Sequence, residues 1–145
     1  MDEAKDEIEQ VESVDLVEDH LYSFNQTYYK PALYSSVINL TTDEISDYTD
    51  IYDWSMETGI PVKCYSESLK LTTNSLVIEE DKEKIIKGFD RNILIERYQG
   101  FDETRIIEYT RLKNGKPTKM RSIIHIFKTA QSDDLYAYLK VFVID

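Results

Sequence analysis

The chain has 145 residues, a formal net charge of −11, one cysteine, three prolines and four glycines. That length suits one domain with a tail and leaves enough interior that no disulfide or metal staple is needed. No apolar run approaches the roughly 18 residues of a membrane span, the acidic start lacks the pattern of a secretory leader, and Cys64 alone allows no internal disulfide; a cytoplasmic setting is expected.

The charge is divided along the chain. Residues 1–60 hold 15 acids and two bases, a net −13, whereas residues 61–145 hold 13 acids and 15 bases, a net +2. Tyrosine is frequent, with 11 copies. That bias fits an AT-rich genome, viral, phage or low-GC bacterial, or else a contact surface, where Tyr is enriched.

Residues 1–12 are acid-rich and are expected to be a tail or a frayed helix, with a single domain over 13–145. Ser13 can cap a helix whose apolar residues Val14, Val17, Leu21, Phe24 and Tyr28 recur at three- and four-residue steps. Pro31 ends it. Residues 33–40 are expected to be a short strand or a loop packed on the core. Thr41 or Thr42 would cap a second helix running to about Thr58, with Glu44 at the capping-box spacing and Gly59 as its stop.

From Val62 the period changes. Val62, Cys64, Ser66 and Ser68 alternate as in a strand, and residues 75–79 suggest another. Asp81–Phe89 reads as a short helix ended by Gly88. Asn92–Gln99, Arg105–Lys113, Lys119–Lys128 and Leu135–Ile144 are β-rich runs separated by turn residues. Asn114-Gly115 is the strongest turn signal, because both residues tolerate positive φ in a two-residue hairpin. It sets Glu108 opposite Arg121 and Tyr109 opposite Met120. The last run is apolar on both faces, which makes it a covered, interior strand.

Three groups of residues stand out. Asp43, Asp47, Asp50, Trp54 and Glu57 would share one stripe of the second helix, and residues 41–60 contain no Lys or Arg. Such a stripe is either a solvated face or a dock for a basic protein surface, reached by electrostatic steering. Arg105, Arg111, Lys113, Lys116, Lys119 and Arg121 outnumber Glu108 over 105–121, a net +5. That hairpin either touches nucleic acid phosphates or is a solvated edge with lysine gatekeepers. Glu96, Glu108 and His125 either face a pocket in the sheet or pair across strands on a solvent face. His20, His125 and Cys64 have no metal-ligand spacing, no glycine-rich phosphate loop is present, and no cofactor or catalytic residue is assigned.

The order of elements is helices first, then antiparallel strands ending in a hairpin and meander. This is an α+β domain with N-terminal helices packed on a curved antiparallel sheet. With Tyr28-Tyr29 late in the first helix and the closing strand pair Ile123–Lys128 and Leu135–Ile144, the organisation resembles the NTF2-like cone folds. That resemblance implies a bent sheet closed around a pocket, and such folds host both enzymes and non-catalytic adapters.

Three functions follow. One is a non-enzymatic acidic interaction module that docks on a larger basic partner, such as a nucleic-acid-binding protein, as inhibitor or recruiter. Another is a small-molecule-binding or hydrolytic domain, which requires a cavity of a few hundred Å³ in order of magnitude. The last is a nucleic-acid-associated factor using hairpin 105–121. The tyrosine-rich surface and two-faced last strand also suit a homodimer.

Overall fold

The computed structural model describes residues 17, 32–50, 59–60 and 63–144. Among the described residues, five strands form one antiparallel sheet: β1 (Tyr34–Asn39), β2 (Glu44–Asp50), β3 (Glu103–Lys113), β4 (Lys116–Thr129) and β5 (Ser132–Val143). Three helices, α1 (Tyr65–Ser75), α2 (Glu79–Phe89) and α3 (Arg91–Arg97), pack on the curved sheet. The α+β class is as expected. These helices, however, fall between β2 and β3 rather than ahead of the sheet, unlike the helices-first order behind the likeness to cone folds.

The strand order is β2-β1-β5-β4-β3. The β3–β4 hairpin turns on Asn114 (φ 52°) and Gly115 (φ 76°), the positive angles that a two-residue turn requires. Its ladder pairs Glu108 with Arg121 and Tyr109 with Met120, the register read from the turn. The last strand, β5, lies between β1 and β4. It is interior, and its side chains are buried on both faces: Leu135 and Ala137 on one, Tyr138 and Lys140 on the other.

The second helix expected over 41–58 is not formed in its described part. Asp43 takes a left-handed φ of 63°, which ends a tight turn, and residues 44–50 then pair with β1 as β2. The β-branched and aromatic residues Ile45, Tyr48 and Thr49 suit a pleated ladder, and Ile45 packs on the core beside β1. One additional residue of β2 bulges out between the Ser35–Thr49 and Val37–Ser46 pairs. Residues 51–58 lie outside the described residues, as do the tail 1–12 and the first helix apart from Val17, which is helical.

Two expected strands are helices. The strand expected over Val62–Ser68, of which Val62 lies outside the described residues, gives way from Tyr65 onward to α1, because Asp43 caps that helix from a distance. Its Oδ1 accepts from Ser66 N–H at 2.9 Å, and its backbone carbonyl accepts from Tyr65 N–H at 3.2 Å. Asn92–Gln99 gives way to α3, where the Asp90 carboxylate accepts from Ile93 N–H at 3.2 Å and Leu94 is fully buried. Residues 75–79 contribute one bridge, Val77 to Arg111, along the outer edge of β3.

Helix α2 matches its expected position. Glu79, Glu80 and Asp81 fill its first turn and Lys87 its last, each sign facing the favourable end of the helix dipole. The helix ends at Phe89, the expected bound, with Gly88 inside its last turn. A Cβ at Gly88 would collide with Ile107 Cδ1, so the glycine lets α2 lie close against β3.

The sheet has two buried faces. The inner face, under the helices, carries Ile38, Met120, Ile124, Ile126 and Val141 in the main core. The outer face carries Val37, Ile123, Phe127 and Tyr138, with Val17 packed against them. The Tyr138 hydroxyl donates to the Val17 carbonyl.

Candidate ligand cavity

A cavity of about 60 Å³ lies between the inner face of the sheet and the helices. Its origin is local. On β1 and β4, Ser36 and Ser122 occupy inner positions where neighbours such as Ile38 and Ile124 are large. Side chains as short as serine leave unfilled space in a layer otherwise packed to core density. Leu139 of β5, paired with Ser36, forms the floor between them. Tyr65, Ser68, Leu69 and Thr72 of α1 form the roof, with Ile85 and Phe89 of α2 at one side.

Hydroxyls dominate the polar part of this wall. Tyr109 Oη and Ser122 Oγ are hydrogen-bonded at 2.9 Å. Tyr65 Oη donates to the Phe89 carbonyl at 2.5 Å, tying α1 to the end of α2. Burial pushes both phenols above the ordinary tyrosine value, although for Tyr109 the Ser122 hydrogen bond and the Arg111 charge pull the other way. Both are therefore neutral at physiological pH. Among the described residues that line the cavity, none is charged.

The expected site residues are dispersed. Asp43 is structural, for besides capping α1 it accepts through Oδ2 from Cys64 Sγ at 3.2 Å. Burial raises its carboxyl, but the Ser66 N–H, the Cys64 and Ser66 side chains and Arg91 outweigh this and hold it below the ordinary value. Asp47 and Asp50 fall in β2, so the helical stripe is not formed in its described part. Trp54, Glu57 and His20 lie outside the described residues.

Of the basic set, Arg111 is 1% exposed and donates through Nη1 to the Leu112 carbonyl at 2.8 Å, which removes it from any phosphate-contacting surface. Arg105 is half-buried and bonded to Glu103 at 2.8 Å. Arg121 pairs with Glu108 through Nη2 at 2.6 Å and Nε at 3.0 Å, the cross-strand pairing foreseen as the alternative to a pocket role. Lys113, Lys116 and Lys119 remain around the hairpin end.

Glu96, Glu108 and His125 do not line the cavity. Glu96 is exposed on α3, and Glu108 and His125 lie on the outer side of the sheet. His125 Nδ1 bonds Thr104 Oγ1 at 2.8 Å, its Nε2 lies 3.7 Å from Asp102 Oδ2, and its ring stacks on Phe127 at 5.9 Å. Cys64 and His125 thus have separate partners and form no nucleophilic pair. Among the described residues, no group of three or more His, Cys, Asp or Glu is placed to hold a metal ion. No helix among them is long and apolar enough to cross a membrane.

The residues that sequence reasoning missed are Ser36, Tyr65, Tyr109 and Ser122. Ser36 and Ser122 share the strand parity of Ile38 and Ile124, so only the pairing of the strands marks them as inner-face positions.

No family model matches the chain, and no curated protein does. Among solved structures, the chain is similar to the N-terminal domain of a diguanylate cyclase with PAS/PAC sensor from Marinobacter aquaeolei. The two are 16% identical over 76% of this chain and 93% of that one, with a TM-score of 0.48. It is also similar to the PAS-B domain of Drosophila melanogaster Cycle with bound ethylene glycol, at 11% identity over 77% and 99% of the two chains and a TM-score of 0.46. A variant of that domain with bound glycerol gives 11% identity, the same coverage and a TM-score of 0.45.

Proposed function

We propose that the chain is a non-enzymatic binding module that takes up a small molecule between its sheet and its helices. The observation that carries this reading is the cavity of about 60 Å³ at the sheet–helix interface, with hydroxyls in an otherwise apolar wall. Concave, mostly apolar sites with a few placed polar groups are the usual form of small-ligand sites. The cavity falls short of the few hundred Å³ required above of a small-molecule-binding or hydrolytic domain, so the proposal is confined to a guest of a few atoms and no reaction is assigned. A reducing cytoplasm, in which Cys64 stays a thiol, is its proposed setting.

The test is a fragment screen read by thermal unfolding and by methyl NMR, on the wild-type chain and on Ser122→Leu, which fills the cavity. Fragments are expected to raise the wild-type midpoint and leave the filled variant unchanged, since a ligand stabilises only the state that binds it. A screen in which wild type and filled variant respond alike overturns the proposal.

A second reading is favoured by the charge division, −13 over residues 1–60 against +2 over the rest. On this reading the acidic half docks on a basic protein, with Asp47, Asp50 and Glu57 as contacts and Asp43 excluded by its capping role. Capture of one basic host protein, lost between low and physiological salt and lost in the triple Lys variant at those three positions, is the expected result. Capture unchanged in that variant rejects it.

A further inference from the structure

We infer that the cavity takes an uncharged, oxygen-bearing guest of short chain, an alcohol, aldehyde or ketone, anchored at the Tyr109–Ser122 hydroxyl pair. This rests on the proposal that the cavity is a ligand site and adds its chemistry: size, charge and polarity each exclude other guests.

Size excludes rings. The cavity measures about 60 Å³. One water needs roughly 10–15 Å³ of such space, and an engineered cavity of about 150 Å³ takes benzene, so this one admits a guest of roughly two to four non-hydrogen atoms.

Charge excludes ions. The chain is 31% charged, yet none of the described residues lining the cavity is Asp, Glu, Lys, Arg or His. A carboxylate or ammonium there would be stripped of water with no counter-ion, a desolvation cost that a small guest has no contacts to offset.

Polarity excludes plain hydrocarbons as the preferred guest. Tyr109 and Ser122 are both buried and share one hydrogen bond at 2.9 Å. Two hydroxyls hold two donors and use one between them, so one O–H remains to be given to an acceptor, and their lone pairs can take a proton from an alcohol. Around this pair, Leu69, Val77, Ile85 and Leu139 supply an apolar lining for an alkyl end. A guest with an oxygen at one end and a short alkyl group at the other satisfies both parts.

The experiment titrates the full chain with 1-propanol, acetone, acetate, methylammonium and xenon, following the methyl resonances of Val77 and Leu139. Propanol and acetone are expected to give saturable shifts and the two ions none. Tyr109→Phe and Ser122→Ala are each expected to weaken propanol about fivefold to tenfold, the weight of one hydrogen bond, while xenon binding is retained and shows that the variants fold with the cavity intact. Equal propanol affinity in wild type and both variants overturns the anchor, and saturable acetate binding at these methyls overturns the requirement for a neutral guest. In both cases the cavity remains a ligand site. Failure of every probe, xenon included, overturns the ligand reading itself.

Discussion

On the outer face of the sheet, Phe127 and Tyr138 are fully buried, with ring centroids 4.6 Å apart; on the inner face, behind the same strands, Ser36 and Ser122 leave a cavity of about 60 Å³. The two sets alternate along single strands, since Val37 follows Ser36, Ile123 follows Ser122, and Tyr138 precedes Leu139. One backbone therefore serves a close-packed aromatic layer and a layer with a gap. The outer layer is small and filled by rings, whereas the inner layer holds the main core and still keeps a gap.

The largest expected effect breaks the tight face. Phe127→Ala is expected to cost about 3–5 kcal/mol in urea unfolding, the usual range for emptying a buried aromatic site. A loss below about 1 kcal/mol, typical of a surface change, would mean that the outer layer is not a core. Next comes the contact of the helix layer with the sheet. Gly88→Ala is expected to destabilise by about 1–3 kcal/mol, because Ile107 must give way. Helix propensity alone would favour the alanine by about 1 kcal/mol, so a stabilised variant would show that the Ile107 side chain swings aside without cost.

Loss of the cap is smaller. Asp43→Ala is expected to cost about 0.5–2 kcal/mol at neutral pH. The pH dependence carries the same information. The Asp43 carboxyl sits below its ordinary value of 3.8 when folded, so its contribution is complete above that value and is lost as pH falls through the folded one. In Asp43→Asn that part of the acid limb should flatten, as read by thermal unfolding from neutral pH downward. The smallest effect is on the open face. Tyr109→Phe removes one hydrogen bond from a site with space around it and is expected to cost about 1 kcal/mol or less, which sharpens the contrast with Phe127.

What was legible in the sequence was mostly local. Asn114-Gly115 fixed a turn, and from the turn the pairing of Glu108 with Arg121 followed by counting. The two-faced apolar run at Leu135–Ile144 could belong only to a covered strand, and β5 is one. What failed depended on distant partners. The stripe from Asp43 to Glu57 has helical spacing, yet β1 offers residues 44–50 a ladder, and Asp43 turns to cap a helix 22 or more positions on. Arg111 looked like one of six surface bases, but it shares the parity of Tyr109, which lines the inner cavity, and is 1% exposed. The cavity was unread because it consists of what two serines leave empty, and emptiness appears only when five strands are put in order.

The pairing of β1 with β5 has a consequence in time. Asn39 Nδ2 donates to Asp134 Oδ2 across 95 residues of chain, and Leu135 N–H donates to Thr41 Oγ1 across 94. Until β5 is made, β1–β2 and β3–β4 are two separate hairpins, and an isolated two-stranded hairpin is at best marginal in water. Closing such distant contacts is the slow part of folding a sheet. During synthesis the strand that joins the halves is the last of the five to emerge, so neither the aromatic layer nor the walled space behind it exists in a nascent chain that stops short of Ser132.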